Sequence, residues 1–308
     1  MLRLLVYSFL WGLVASLTGN TSEWVVNAPS SFLQGVKLAC YNELSNQRRN
    51  DTLTTSLDRY IDARLPTLNS IVDGEDVDAI EHFFWGLTNG IAMEMGALDG
   101  THDTMSMTKG LEQVMGWKRI LVEGNPVYWP KMKAKSPEAY AVGAAVCETS
   151  RHVHYVSADY VGGIVEFMSE NFFAGGYLPR IRAAIQEAGS VEAVDWSKFD
   201  HVQVVPCLPL AQILQAAAIR HINFFILDVE GGELGVLRSI DWSATIFDIL
   251  CVEIHPQRRP PGYAEQVTQF LAEKGYVAAT GVLGRNTCKF AGLRSAYGIT
   301  AIKTLSIY

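Results

Sequence analysis

The sequence predicts an α/β protein: a mostly parallel central sheet with helices on both faces. Two observations carry this reading. From residue 90 onward, short and wholly apolar runs alternate with longer amphipathic stretches. Strands that are apolar on both sides belong to parallel sheets covered by helices. Three of the runs also end directly in glycine-rich or acidic loops, and a fourth ends in an acid and a histidine. In open α/β sheets, ligands bind at those carboxyl ends, near the switch in strand order.

The elements can be justified in chain order. Arg3 precedes residues 4–17, fourteen positions without a charge, followed by Thr18, Gly19 and Asn20. A membrane span needs about 20 apolar residues, so the run is short for one. A basic start, an apolar centre and small polar residues describe a secretory signal peptide or a short signal anchor over 1–19. Residues 20–88 read as a mixed, partly helical extension, with helical spacing over 53–65 and 77–85. The main domain then runs over 89–308. Strands are expected at 91–95, 120–122, 141–146, 202–205, 224–227, 249–254, 276–279 and 298–303. Helices are expected at 105–115, 178–188, 210–219, from about Glu233, and at 263–274, and Pro126 suits the first turn of another. Residues 159–200 are longer than a compact core needs and read as an insertion, either over the acceptor cleft or on the outer surface.

Composition narrows the function. Of 308 residues, 49% are hydrophobic and 19% charged, which excludes a disordered or collagen-like chain. Acidic residues outnumber basic ones 32 to 25, and no Lys/Arg stripe is present, so nucleic acid is not an expected partner. The densest basic pair, Arg258 and Arg259, lies beside Pro260 and Pro261 and reads as a loop. The five cysteines show no zinc spacing. Cys251 sits in an apolar run and reads as a small buried hydrophobe, while one or two disulfides can form among the other four.

Three strand-end motifs carry chemistry. The first, Glu94-Met95-Gly96-Ala97-Leu98-Asp99-Gly100, lets the backbone turn tightly and approach a ligand. Its spacing is not the dinucleotide fingerprint G-x-G-x-x-G, which disfavours a nicotinamide-dependent oxidoreductase. Glu94 suits a cationic ligand or an amino group, and a glycine turn with no ligand is the plainer reading. The second, Glu123-Gly124-Asn125-Pro126, puts a carboxylate where α/β folds hold ribose hydroxyls. The third, Asp228-Val229-Glu230-Gly231-Gly232-Glu233, places three carboxylates on one glycine hinge. Asp228 reads as facing the cleft, and Glu233 as orienting the turn. The next strand adds Glu253 and His255, and a histidine of ordinary pKa can serve as a general base.

The ordered set EMGALDG, GWKRILVEGNP, AAV at 144–146, FFILDVEGGELGVL and ILCVEIH resembles the FkbM-type methyltransferases over about residues 90–280. The resemblance implies a Rossmann-like class I fold and S-adenosylmethionine as cofactor, with transfer to a hydroxyl oxygen. It places Glu94, Gly96 and Gly100 at the methionine end of the cofactor and Glu123 at its ribose, and Ala97 and Asn125, beside them in the same loops, are expected to bind the cofactor too. Asp228, Glu230, Gly231, Glu233 and Glu253 fall on the substrate side. Asp228 and His255 are the candidate bases, and no metal is expected, with Asp228 and Glu230 the residues that would serve one. The acceptor is expected to be a sugar or other small molecule. The expected location is the secretory pathway, with membrane attachment only through an uncleaved leader. A non-catalytic secreted binding protein of the same fold stays open as the alternative.

Overall fold

The computed structural model describes residues 23–30, 32, 57, 59–61, 75–157, 162–169, 178–254, 259–278 and 292–294. Its centre is a six-stranded sheet made of β1 (Val25–Asn27), β2 (Ile91–Met95), β3 (Lys118–Glu123), β4 (Tyr140–Gly143), β9 (His221–Leu227) and β10 (Ile246–Val252), in the spatial order β1-β4-β3-β2-β9-β10. The sheet is mixed. The pairings from β4 through β10 are parallel, and β1 closes one edge antiparallel to β4. Alternation along the strands feeds two apolar layers. Phe225 and Leu227 join Met93 and Met95 on one face, while Phe224 and Ile226 join Ala92 on the other. Burying each large side chain of this kind stabilises the fold by about 1.5–3 kcal/mol.

The helices α2 (Lys109–Met115), α3 (Trp129–Lys135), α5 (Leu210–Ala216), α6 (Glu233–Arg238) and α7 (Tyr263–Glu273) alternate with these strands. Upstream, α1 (Glu75–Ala79) continues into a π turn at Ile80–Phe84, and Phe84 packs edge-on against Trp117 at 4.9 Å. Among the described residues no helix is long and apolar enough to cross a membrane.

A second sheet was not expected. The apolar run 141–146 reads as one strand, yet it divides between two sheets: β4 stays in the main sheet, and β5 (Ala145–Val146) starts another. Ala144 alone separates them. The second sheet has the order β5-β8-β6-β7, with β6 (Arg151–Val156), β7 (Gly163–Ile164) and β8 (Val202–Leu208). The strand expected at 202–205 therefore exists, but it lies outside the central sheet and is longer. Helix α4 (Pro179–Ala188) packs Ile181 beneath this sheet in a cluster with Val156 and Val202. Cys147 and Cys207 form a disulfide with their Cα atoms 5.5 Å apart. Cys251 is buried in an apolar cluster, as its run suggests, but it is disulfide-bonded as well, which corrects its omission from the disulfide candidates.

Other corrections are local. Pro126 opens a turn rather than a helix, and it is Pro130 that stands in the first turn of α3. Helix α2 starts at Lys109, later than expected, because a 3-10 turn at His102–Thr104 precedes it. The strand at Tyr276–Ala278 (β11) pairs with Gly292–Arg294 (β12) in a separate two-stranded sheet. The leader 1–19, most of the 53–65 segment and the strand expected at 298–303 lie outside the described residues.

Candidate active site at the strand ends

Strand register builds the site. Met95 is level with Val122 on β3 and with Leu227 on β9, and Leu227 is level with Val252 on β10. The residues one step further, Gly96, Glu123, Asp228 and Glu253, therefore emerge along one edge of the sheet. Residues separated by up to 157 positions become neighbours in this way.

Gly96 joins two of them. It has φ +84°, and a β-carbon there would stand 2.0 Å from the Asp228 carbonyl oxygen. The Asp228 N–H also donates to the Met95 carbonyl at 3.1 Å. The glycine turn and the acidic loop are thus one continuous surface. Glu94, on the buried strand just before, points elsewhere. Its carboxylate accepts hydrogen bonds from Ser106 Oγ (2.7 Å), Thr108 Oγ1 (2.5 Å) and the Met107 N–H (3.1 Å). Burial raises its pKa, and these donors oppose the rise. Glu94 anchors the 106–108 loop with both oxygens, and its Oε1, with a single donor, keeps a second lone pair.

Glu123 does the same for the turn itself. Its Oε2 accepts the Leu98 N–H at 2.7 Å and its Oε1 accepts the Asn125 N–H at 2.6 Å. Each carboxylate oxygen keeps a second lone pair for a ligand hydroxyl. Burial lifts its pKa to about 7, with the charge of Glu94 adding to the rise. Asn125 is fixed in turn, its Oδ1 accepting from Val127 N–H (3.1 Å) and Ser157 Oγ (2.8 Å).

The acidic loop concentrates charge. Asp228, Glu230 and Glu253 each bring a carboxylate oxygen within 4.8 Å of the others. Asp228 Oδ1 is buried with no hydrogen-bond partner. Burial holds the Asp228 pKa well above the carboxylate range, and neighbouring Glu253, Glu230 and Glu233 push it further. Glu233 is taken up differently: Arg259 Nη2 donates to its Oε1 at 2.8 Å, as does the Gly231 N–H at 3.0 Å, and Tyr263 donates to its Oε2 at 2.9 Å. It orients the turn, as its place in the motif suggests. Arg259 is not an exposed loop cation; it is 96% buried against this carboxylate. His255 lies outside the described residues.

A family model for the methyltransferase FkbM domain matches residues 94–278, which contain all three motifs. The chain belongs to the FkbM methyltransferase family. No curated protein and no solved structure matches it.

In this FkbM domain Tyr155 of the second sheet and Phe167 of the 159–200 region meet the strand-end loops. Phe167 lies over the acidic loop. Its carbonyl oxygen would be 3.2 Å from a β-carbon on Gly231, and its ring 3.4 Å from one on Gly232. Tyr155, from β6, lies against Gly124, where an added β-carbon would meet its ring at 2.6 Å. Burial raises the Tyr155 pKa well above its usual value, and the charges of Glu123, Glu230 and Asp228 act in the same direction. Sequence reading missed Tyr155, Phe167 and Arg259. The alternation in Arg151-His152-Val153-His154-Tyr155-Val156 was the available signal for a strand, with β-branched and aromatic residues on one face.

The donor set fits a positively charged ligand. Among the described residues, Arg259 is the cation set against Glu230 and Glu233, and it leaves Asp228 and Glu253 uncompensated. Like charges this close need a proton or a cation between them. The three carboxylate oxygens would also suit a hard divalent ion, a site that spacing along the chain does not reveal.

Proposed function

We propose that the protein transfers a methyl group from S-adenosylmethionine to a hydroxyl oxygen of a sugar or other small acceptor, within the secretory pathway. The continuity of the Gly96 turn with the Asp228 loop supports this reading, because it puts Glu123 and the Asp228–Glu230–Glu253 carboxylates on one edge. Glu123 would hold the ribose hydroxyls, the 96–100 turn would lie along the ligand backbone, and the Asp228 cluster would face its cationic centre. When bound, S-adenosylmethionine supplies an electrophilic methyl group on a sulfonium.

The chain's own residues then have separable tasks. Asp228 accepts the acceptor's hydroxyl proton on its buried carboxylate. Glu253 and Glu230 keep that carboxylate basic, and a positive charge placed among them brings its proton affinity back toward neutrality. Phe167 and Tyr155 cover the edge, exclude water and hold the reactants in near-attack geometry. The disulfides at Cys147–Cys207 and at Cys251 favour an oxidising compartment.

The test is thermal melting with S-adenosylmethionine, S-adenosylhomocysteine and NADH, followed by transfer of labelled methyl to a panel of hydroxylated sugars. A ligand at 100 times its Kd stabilises the native state by about 2.7 kcal/mol. Stabilisation by the first two and not by NADH is expected, with the affinity reduced in Glu123→Ala. Stabilisation by NADH alone would overturn the reading.

A further inference from the structure

Tyr155 is delivered to the strand ends by the second sheet and is not part of any motif. On β6 it shares a face with Val153, which is buried beside the Cys147–Cys207 pair. At the end of that face its ring sits between two glycines. A β-carbon on Gly124 would lie 2.6 Å from Cε2, and one on Gly162 would lie 3.0 Å from Cε1 and 3.1 Å from the hydroxyl. Any side chain at either position would displace the ring. Gly124 directly follows the ribose acid Glu123, and Gly163, next to Gly162, lies against Glu230, whose Cβ would be 3.7 Å from a β-carbon there, so the ring stands between that acid and the acidic loop.

An aromatic ring carries a negative quadrupole over its face, and a cation gains about 0.5–2 kcal/mol from it, most when desolvated. The carboxylates attract the same charge from the sheet side. A neutral molecule of equal shape gains little from either. We infer that Tyr155 is the aromatic wall of the cation seat, and that it makes the site prefer the charged sulfonium of the methyl donor over the neutral thioether left after transfer. The inference rests on the reading that S-adenosylmethionine is the ligand. Its functional consequence is product release: once the methyl has moved, the attraction to both ring and carboxylates disappears.

Calorimetric titration of the full chain with S-adenosylmethionine and S-adenosylhomocysteine tests this. Wild type should bind the sulfonium more tightly. Tyr155→Leu should lose about tenfold in affinity for the sulfonium and less than twofold for the thioether, whereas Tyr155→Phe should keep the preference. A structural role would weaken both ligands together, and that result, or no loss with either, would overturn the inference. Tyr155→Met, of similar length, takes the place of the leucine variant if the latter folds poorly. If wild type binds neither ligand, the cofactor reading fails and the inference falls with it; binding of both with no dependence on Tyr155 sinks the inference alone.

Discussion

Replacing Gly96 with alanine should damage the protein far more than the same change at Gly86, although the two share nearly the same backbone angle. Gly96 has φ +84° and Gly86 has φ +82°. Holding alanine in the left-handed region costs about 1–2 kcal/mol at either position. At Gly86 nothing lies within 4 Å of the new β-carbon, so that cost is the whole effect. At Gly96 the new atom stands 2.0 Å from the Asp228 carbonyl oxygen, a backbone atom that cannot rotate away. The ends of β2 and β9 must part by about an ångström. Overpacking of this kind costs about 1–3 kcal/mol, and loss of the 3.1 Å bond from the Asp228 N–H to the Met95 carbonyl adds about 1 kcal/mol. The excess over Gly86→Ala is therefore about 2–4 kcal/mol, and each kcal/mol shifts Tm by about 2–4 °C in a domain of this size. Gly96→Ala should melt roughly 4–16 °C below Gly86→Ala. Melting within 2 °C of the Gly86 variant would refute the tight junction between the two motifs.

Three further outcomes are expected. Asp228 has a raised pKa in the folded state, so the stability linked to its proton is full below about pH 4 and is lost as pH rises through the folded value. Asp228→Asn should therefore melt higher than wild type at pH 8, with the gap closing toward pH 4, while methyl transfer is lost; a pH-independent gap would contradict the buried-acid assignment. Arg259→Gln leaves Glu233 buried without its 2.8 Å partner and should cost about 3–5 kcal/mol in urea unfolding, partly recovered when Glu233→Gln is added; no recovery would show that Arg259 acts by packing alone. Cys147→Ala/Cys207→Ala opens a cross-link spanning 60 residues, for which loop-closure entropy gives about 4 kcal/mol; a loss under 1 kcal/mol would mean that the strand pairing already fixes the ends.

The legible part of the fold was the part whose residues are uniform in polarity. Strands β2, β9 and β10 are buried on both faces, and their runs of Ile, Phe and Leu stand out without any need for periodicity. The glycine and acid motifs were legible for a related reason: loops at strand ends carry residue types that core packing would not select. What was missed lies in segments with mixed demands. Strand β6 turns Arg151 and His152 to solvent and Val153 inward, so its polar residues hid a strand that only its sheet partners complete. The division of 141–146 had no local signal either, because Ala144 is as buried as the strands beside it. Arg259 looked like a loop cation because its partner, Glu233, is 26 positions away and meets it only through tertiary packing. Glu253, by contrast, was legible as an acid on the same edge, and the parallel pairing of β9 with β10 brings it to Asp228 and Glu230.

The second sheet enters and leaves the core through single residues. Ala144 links β4 to β5, and Pro209 links β8 to α5. The two crossing strands are paired in parallel and welded by the Cys147–Cys207 bond. A flap that opens on substrate arrival needs a few free backbone torsions at its root, and neither crossing provides them. The architecture at the crossings is that of a fixed canopy. Its separation from the strand ends is set when the chain folds and oxidises, so the ordering cost of enclosing a ligand is met before any ligand arrives. Under the proposed transfer, a change of acceptor then requires new side chains rather than a new motion.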